Sequence, residues 1–245
     1  NEIGSVQPIK KISKMIKGLK NRPYFYVDAA QAQGHLDLNV NNLGVDLMTL
    51  SSHKIHGPKG IAALYVRQGT ELEPMLYGGG QERGFRSSTE AVPLIVGFAE
   101  ALELEKTSQD SRVKNQERLR EYFVNGLKRL FPEVKINGPD NPKDRVPHIV
   151  SATFKGIENE QMLLQLDRYG IRASAGSACA SKGIEPSHVL KAIGLSKEDA
   201  RSTVRFSFSR LTKKSEVDYL LKVLPKVTNK IKKMYPREVK RHYYR

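Results

Sequence analysis

The strongest constraint on this chain is a repeated change of hydrophobic period. Pro8 to Lys20 (PIKKISKMIKGLK) sets Ile9, Ile12, Met15, Ile16 and Leu19 at three- and four-residue spacings, which predicts a helix with a basic outer face. Three short apolar runs follow and read as strands: PYFYVDAAQ, running into a loop at Asp28, VDLMTLSS (Val45 to Ser52) and GIAALYV (Gly60 to Val66). Strands alternating with helices predict an α/β layer on a mostly parallel sheet.

From Glu90 the pattern turns to long helices. Val92 to Lys106 is apolar, and Arg112 to Leu130 is amphipathic, highly charged and stopped by Pro132. HIVSATFKG reads as a strand, NEQMLLQLDRYG as a helix ending at Gly170, and PSHVLKAIG as a shorter helix. STVRFSFSR alternates with a period of two, as a half-buried strand does, and a helix runs from Ser215 to about Lys233. The polar, charge-dense stretch Lys106 to Arg112 marks a boundary. It separates a first domain, 1–108, from a smaller α+β domain, 109–235, with a basic tail at 236–245.

At 245 residues and 39% hydrophobic content, the chain can bury a real core, which excludes disorder as the default. No run of 18 apolar residues and no signal peptide appears, so a cytoplasmic protein, or one of an organellar matrix, is expected, with no membrane contact. The single cysteine, Cys179, excludes an intramolecular disulfide and any cysteine-rich metal site built by this chain alone. No metal is expected. His56, His148 and His188 have no carboxylate or cysteine at ligand spacing and read as structural. A net charge of +15 favours anionic partners without choosing among them. The tail KVTNKIKKMYPREVKRHYYR reads as a solvated helix end and terminus rather than a nucleic-acid arm.

The polar residues that end the strand-like runs carry the chemistry. Asp28 and Gln31 follow the first run, and Ser51, His53 and Lys54 follow the second. In a parallel sheet the C-terminal strand ends gather at one edge, and ligands bind in the crevice there. An acid, an amide, a hydroxyl, an imidazole and an amine at one edge suit pyridoxal phosphate. The amine can condense with the aldehyde, the carboxylate can keep the pyridine nitrogen protonated, and the hydroxyl and imidazole can hold the phosphate. The same residue types also serve surface salt bridges and turn caps, so the residues alone leave both readings open.

A set of ordered motifs goes further. NEIGSVQPI, YVDAAQAQGHLDLNV, VDLMTLSSHKIHGPKGIAALYVR, YGGGQERGFRSSTEAVPLIVGFAEAL, ASAGSACASKGIEPSHVLKAIGLS and TVRFSFSR, in that order, resemble the cysteine desulfurases that feed iron-sulfur cluster assembly. Those enzymes are class V, fold type I pyridoxal phosphate enzymes with an aspartate aminotransferase-like fold, and the resemblance extends to about Leu224. It implies that this chain is the C-terminal portion of such a fold and that Lys54 binds the cofactor covalently and moves protons at the substrate Cα. Asp28 is implied to pair with the pyridinium nitrogen, Gln31 to bond the ring hydroxyl, and Asn1 to approach the same side of the ring. Ser51 and His53 are implied to hold the phosphate, Thr89 to reach the phosphate of a partner subunit in a homodimer, and Arg205 to clamp the substrate carboxylate.

The resemblance also makes Cys179 the sulfur acceptor. It takes sulfur from L-cysteine as a persulfide, leaves alanine, and passes the sulfur to an acceptor such as an iron-sulfur scaffold or a tRNA-thiolation carrier. From its surroundings alone Cys179 reads as a buried inert thiol; its place in the SAC motif reverses that. The small, glycine-bearing AGSACASKG suits a mobile loop. GGGQERG lacks the ending of a nucleotide P-loop and reads as a dimer loop, while Gly57, Pro58 and Gly60 set the turn after the lysine.

The chain departs from the family at its start. It opens on Asn1, where such enzymes are already well into their large domain, and no motif here replaces their N-terminal phosphate loop or ring-stacking histidine. One reading is the catalytic C-terminal portion of a cysteine desulfurase; the other is a non-catalytic scaffold subunit. The joint presence of Lys54, Asp28, Gln31, His53, Cys179 and Arg205 favours the first, since a scaffold has no physical need for all six. Selenocysteine lyases use the same chemistry, and no residue here excludes selenocysteine as substrate.

Overall fold

The computed structural model describes residues 1–107, 109–175 and 187–234. The chain divides into two compact units, residues 7–109 and residues 1–6 with 110 onward. Asn1–Val6 therefore folds with the later part of the chain. Val146 N–H donates to the Gly4 carbonyl and Val6 N–H to the Asp144 carbonyl, each at 2.8 Å. Cys179 and the tail 236–245 lie outside the described residues. Among the described residues no helix is long and apolar enough to cross a membrane.

The unit 7–109 runs α1 (Ile9–Lys17), β1 (Tyr26–Asp28), α2 (Val40–Leu43), β2 (Leu47–Ser51), a 3-10 turn (Ser52–Ile55), β3 (Ala62–Val66), a second 3-10 turn (Glu82–Gly84) and α3 (Val92–Thr107). Its sheet has the order β1-β2-β3. β1 and β2 are parallel, with Asp28 opposite Thr49, whereas β3 pairs antiparallel with β2. Strand patterning predicts a mostly parallel sheet; here one ladder of two is parallel. The reason lies in the connection 52–61, which holds one short turn and no crossover helix, and a parallel return needs a dozen or more residues.

One core of this unit gathers Ala29, Val45 and Met48 with Ile9, Val27, Leu43 and Leu50. A second, smaller one packs Ile55 against Phe98 and Ala101 of α3, so the turn that carries His53 and Lys54 is pinned from behind by its own isoleucine. α1 is held to the end of α2 by Ser13 Oγ, which donates to the Gly44 carbonyl at 2.9 Å.

Asp46 ties the entries of β1 and β2 together. Its carboxylate is 2% exposed, accepts from Phe25 N–H at 2.8 Å and from Arg22 Nη2 at 2.6 Å, and has Arg67 Nε at 3.8 Å. Burial pushes this carboxyl up, but the Phe25 N–H, the Arg22 hydrogen bond and the charges of Arg22 and Arg67 outweigh it and leave its pKa below the ordinary value. A depressed folded-state pKa contributes stability above the unfolded value of about 3.9 and loses it as pH falls below that. Asp46→Asn should therefore cost about 1–3 kcal/mol at pH 7. Denaturant melts should show wild type and variant converging below about pH 4; an equal gap at both pH values would contradict the pairing.

The other unit holds α4 (Gln109–Leu130), β4 (Lys135–Asn137), β5 (Ile149–Thr153), α5 (Asn159–Asp167), α6 (His188–Ala192), α7 (Lys197–Arg201), β6 (Thr203–Ser207) and α8 (Lys214–Met234). Its sheet, β4-β5-β6, is antiparallel throughout. Alternation sorts β6 cleanly. Val204 and Phe206 enter a core with Val150, Ala152, Phe123, Leu127 and the buried face of α8. Thr203 and Arg205 take the opposite face, where Arg205 lies across from Ser151 and a buried ladder joins Asn137, Ser151, Thr153 and Thr203. β4 has only three residues, too few to show a period.

Candidate active site

In the unit 7–109, β1 ends at Asp28 and β2, parallel to it, ends at Ser51, so both polar ends fall at one edge of the sheet. The chain then turns sharply. Ser51 is extended (φ −127°, ψ 121°), Ser52–Ile55 make one 3-10 turn, and His56 closes it in the left-handed region at φ 65°. Gly57 follows because nothing larger fits: a Cβ there would strike Ser52 Oγ and lie 3.1 Å from Ala101 Cβ. Gly-Pro chemistry after the lysine is thus a packing requirement against α3.

Within this turn Ser51 Oγ and His53 Nδ1 are hydrogen-bonded at 3.0 Å. Lys54 is exposed and, among the described residues, makes no hydrogen bond or ion pair. Asp28 is exposed, and its Oδ1 accepts from Ala30 N–H at 2.9 Å, which orients the carboxylate at the strand end. Gln31 is partly buried in the turn that follows. Ser52 Oγ is fully buried and has no hydrogen-bond partner among the described residues.

The sequence motif points to Gln31 and not to Gln33. The Gln33 side chain, 2% exposed, returns to the end of β2: its Nε2 donates to the Ser51 carbonyl, and its Oε1 accepts from Ser51 N–H at 3.0 Å. The only sequence signal was a second glutamine before Gly34, and its target is 18 residues away. Ile55 was likewise unmarked.

Thr89 is exposed in the stretch before α3, with Ser88 Oγ donating to its carbonyl at 3.1 Å. No described contact joins it to the residues above.

In the other unit, Arg205 Nη1 donates to the Asn1 carbonyl at 2.8 Å, which brings these two sequence-predicted residues together. Arg205 Nε is buried and has no hydrogen-bond partner among the described residues. Burial pulls the guanidinium below its ordinary pKa, and the negative charge of Glu2 opposes that shift; it remains a cation at neutral pH. Glu2 is buried and accepts from Ser187 Oγ at 2.6 Å, while Ser187 also caps α6. The main chain of Arg205 is bridged to Ser174. Among the described residues no group of three His, Asp or Glu could hold a metal ion.

The donor set fits a phosphorylated aldehyde with a basic ring nitrogen. Among the described residues it offers a free amine, a hydroxyl–imidazole pair for an anionic head, an orphaned buried hydroxyl beside them, and a strand-end carboxylate.

The architecture, with a lysine turn at the strand ends of a mixed sheet and a separate antiparallel α+β unit, is that of the fold type I aminotransferases. A solved NifS-like protein from Rickettsia africae superposes with a TM-score of 0.84 at 30% identity, over 93% of this chain and 59% of that one. Residues 1–220 match the aminotransferase class-V family, and the chain belongs to it. It is similar to the cysteine desulfurase IscS of Clostridium botulinum, at 43% identity over 236 residues, covering 96% of this chain and 59% of that protein. The cysteine desulfurase IscS 1 of Archaeoglobus fulgidus is also 43% identical, with 96% and 60% covered. The chain thus spans about three fifths of the length of the curated relatives it matches.

Proposed function

We propose that this chain carries pyridoxal phosphate-dependent cysteine desulfurase chemistry, with the unit 7–109 as part of the cofactor domain and the other unit, which includes residues 1–6, as the small domain. L-cysteine gives up its sulfur and leaves as L-alanine. The substrate C–S bond breaks, an S–S bond forms at Cys179, and the alanine methyl gains a proton. The persulfide then serves an acceptor protein such as an iron-sulfur scaffold, in a reducing cytoplasm where a lone thiol stays free.

The observation that carries this reading is the end of β2, where Ser51, His53 and Lys54, which has no partner among the described residues, lie beside the end of β1 at Asp28. When bound, the cofactor supplies an electron sink that lets the substrate Cα release its proton. Lys54 offers Nζ to hold the aldehyde carbon and to carry the Cα proton. Ser51 Oγ and the His53 ring bind phosphate oxygens, Asp28 holds a proton on the ring nitrogen, and Gln31 and Asn1 are assigned to the ring. Arg205 directs a planar fork at the substrate carboxylate. A homodimer, with Thr89 reaching the partner's phosphate, is supported by the apolar surface in the stretches flanking Thr89, where Met75 is 94% and Val96 61% exposed.

An absorbance titration with pyridoxal phosphate tests the reading. Wild type should develop a band that shifts on adding L-cysteine, Lys54→Ala should show none, and Cys179→Ser should keep the band but yield no persulfide. A band that survives in Lys54→Ala, or none in wild type, would overturn it.

A further inference from the structure

We infer that Gln33 is a positioning residue for the phosphate-binding end of β2. The inference rests on the pyridoxal phosphate reading above. The two parallel strands differ in length: the last backbone bond from the first to the second is Ala29 N–H to the Thr49 carbonyl, at 3.0 Å, after which the chain leaves the sheet into a turn. β2 continues to Ser51, which faces Ala62 of β3 on one side and, among the described residues, has no strand partner on the other. A buried peptide group left unpaired there would be costly.

A primary amide carries the same donor and acceptor as a peptide group, and Gln33 supplies both to Ser51, its Nε2 to the carbonyl and its Oε1 to the N–H. One side chain thus stands in for the missing strand residue. Its burial shields both bonds from competing water. What it fixes is the Ser51 peptide, whose Oγ meets His53 Nδ1 and whose extended backbone is the last before the 3-10 turn. If that peptide rotates, both phosphate donors turn with it, while Lys54 is still held from behind by Ile55 against α3. Loss of the clamp should therefore weaken recognition of the phosphate more than attachment of the aldehyde.

The test compares pyridoxal phosphate with pyridoxal, which lacks only the phosphate. Dissociation constants come from the Lys54-dependent absorbance band, and Ser51 amide exchange is followed in the same proteins. Gln33→Met keeps the volume and removes both bonds. It should weaken pyridoxal phosphate about tenfold, leave pyridoxal within about threefold, and speed Ser51 exchange. Gln33→Glu keeps the acceptor for Ser51 N–H but sets a carboxylate against the Ser51 carbonyl, and serves if the first variant does not fold; it should shift the same ratio. An unchanged ratio of the two affinities would overturn the role toward the phosphate. Unchanged Ser51 exchange would overturn the clamp itself, even if wild type formed no Lys54-dependent band, the outcome that instead removes the cofactor reading.

Discussion

Phe123→Ala should destabilise the unit that contains it by about 3–5 kcal/mol. Phe123 is fully buried on α4, and its ring meets Phe206 and Phe208 edge-on, at 5.1 Å and 70° and at 5.8 Å and 89°. The lost apolar area is only part of the cost. Phe206 and Phe208 are fixed by β6 and its continuation and cannot collapse into the void, and Leu127, one turn along α4, is itself fully buried. Two edge-to-face contacts, about 0.5–1.5 kcal/mol each, go as well. Against a net stability of about 5–15 kcal/mol, this is a large fraction. A denaturant melt reads it directly. Phe123→Leu, which nearly fills the space, should cost clearly less, and a loss below about 1 kcal/mol for the alanine variant would mean the aromatic cluster is not the centre of this core.

Arg205→Met should weaken binding of L-cysteine by about 2–5 kcal/mol, roughly thirtyfold to several thousandfold in affinity, while sparing an aminothiol without a carboxylate. Arg205 projects from the polar face of β6, opposite Phe206, so the substitution leaves the core untouched. Among the described residues its one side-chain hydrogen bond goes to the Asn1 carbonyl, which leaves the rest of the fork for a carboxylate. The Glu2 charge steadies the cation without bonding it directly. Methionine keeps most of the stem and removes the fork. Titrating L-cysteine and cysteamine into the cofactor-loaded protein separates the outcomes. If both weaken equally, Arg205 supports the fold of the site rather than reading the carboxylate.

Much of this was legible in the sequence because it depends on local period. The two faces of β6 follow from STVRFSFSR alone, since side chains alternate in any strand and only one face can enter a core. The placement of Ser51, His53 and Lys54 was legible too: an apolar run that ends in polar residues followed by Gly-Pro-Lys-Gly has to leave the sheet there. Asp28 reached the same edge because β1 and β2 run parallel.

Other features depended on partners far along the chain. Arg205 and Asn1 are 204 positions apart, and no spacing rule links them. The direction of β3 came from how its connection packs, and the amide clamp of Gln33 from β1 ending short of β2. Gly57 is small because α3, encoded some forty residues later, passes behind it. By itself, then, the sequence determined which residues lie on strand ends, turns and helix faces, because these follow from the chain's own geometry. Only the tertiary structure decided which of them meet, because pairing of buried polar groups and filling of space are settled between segments.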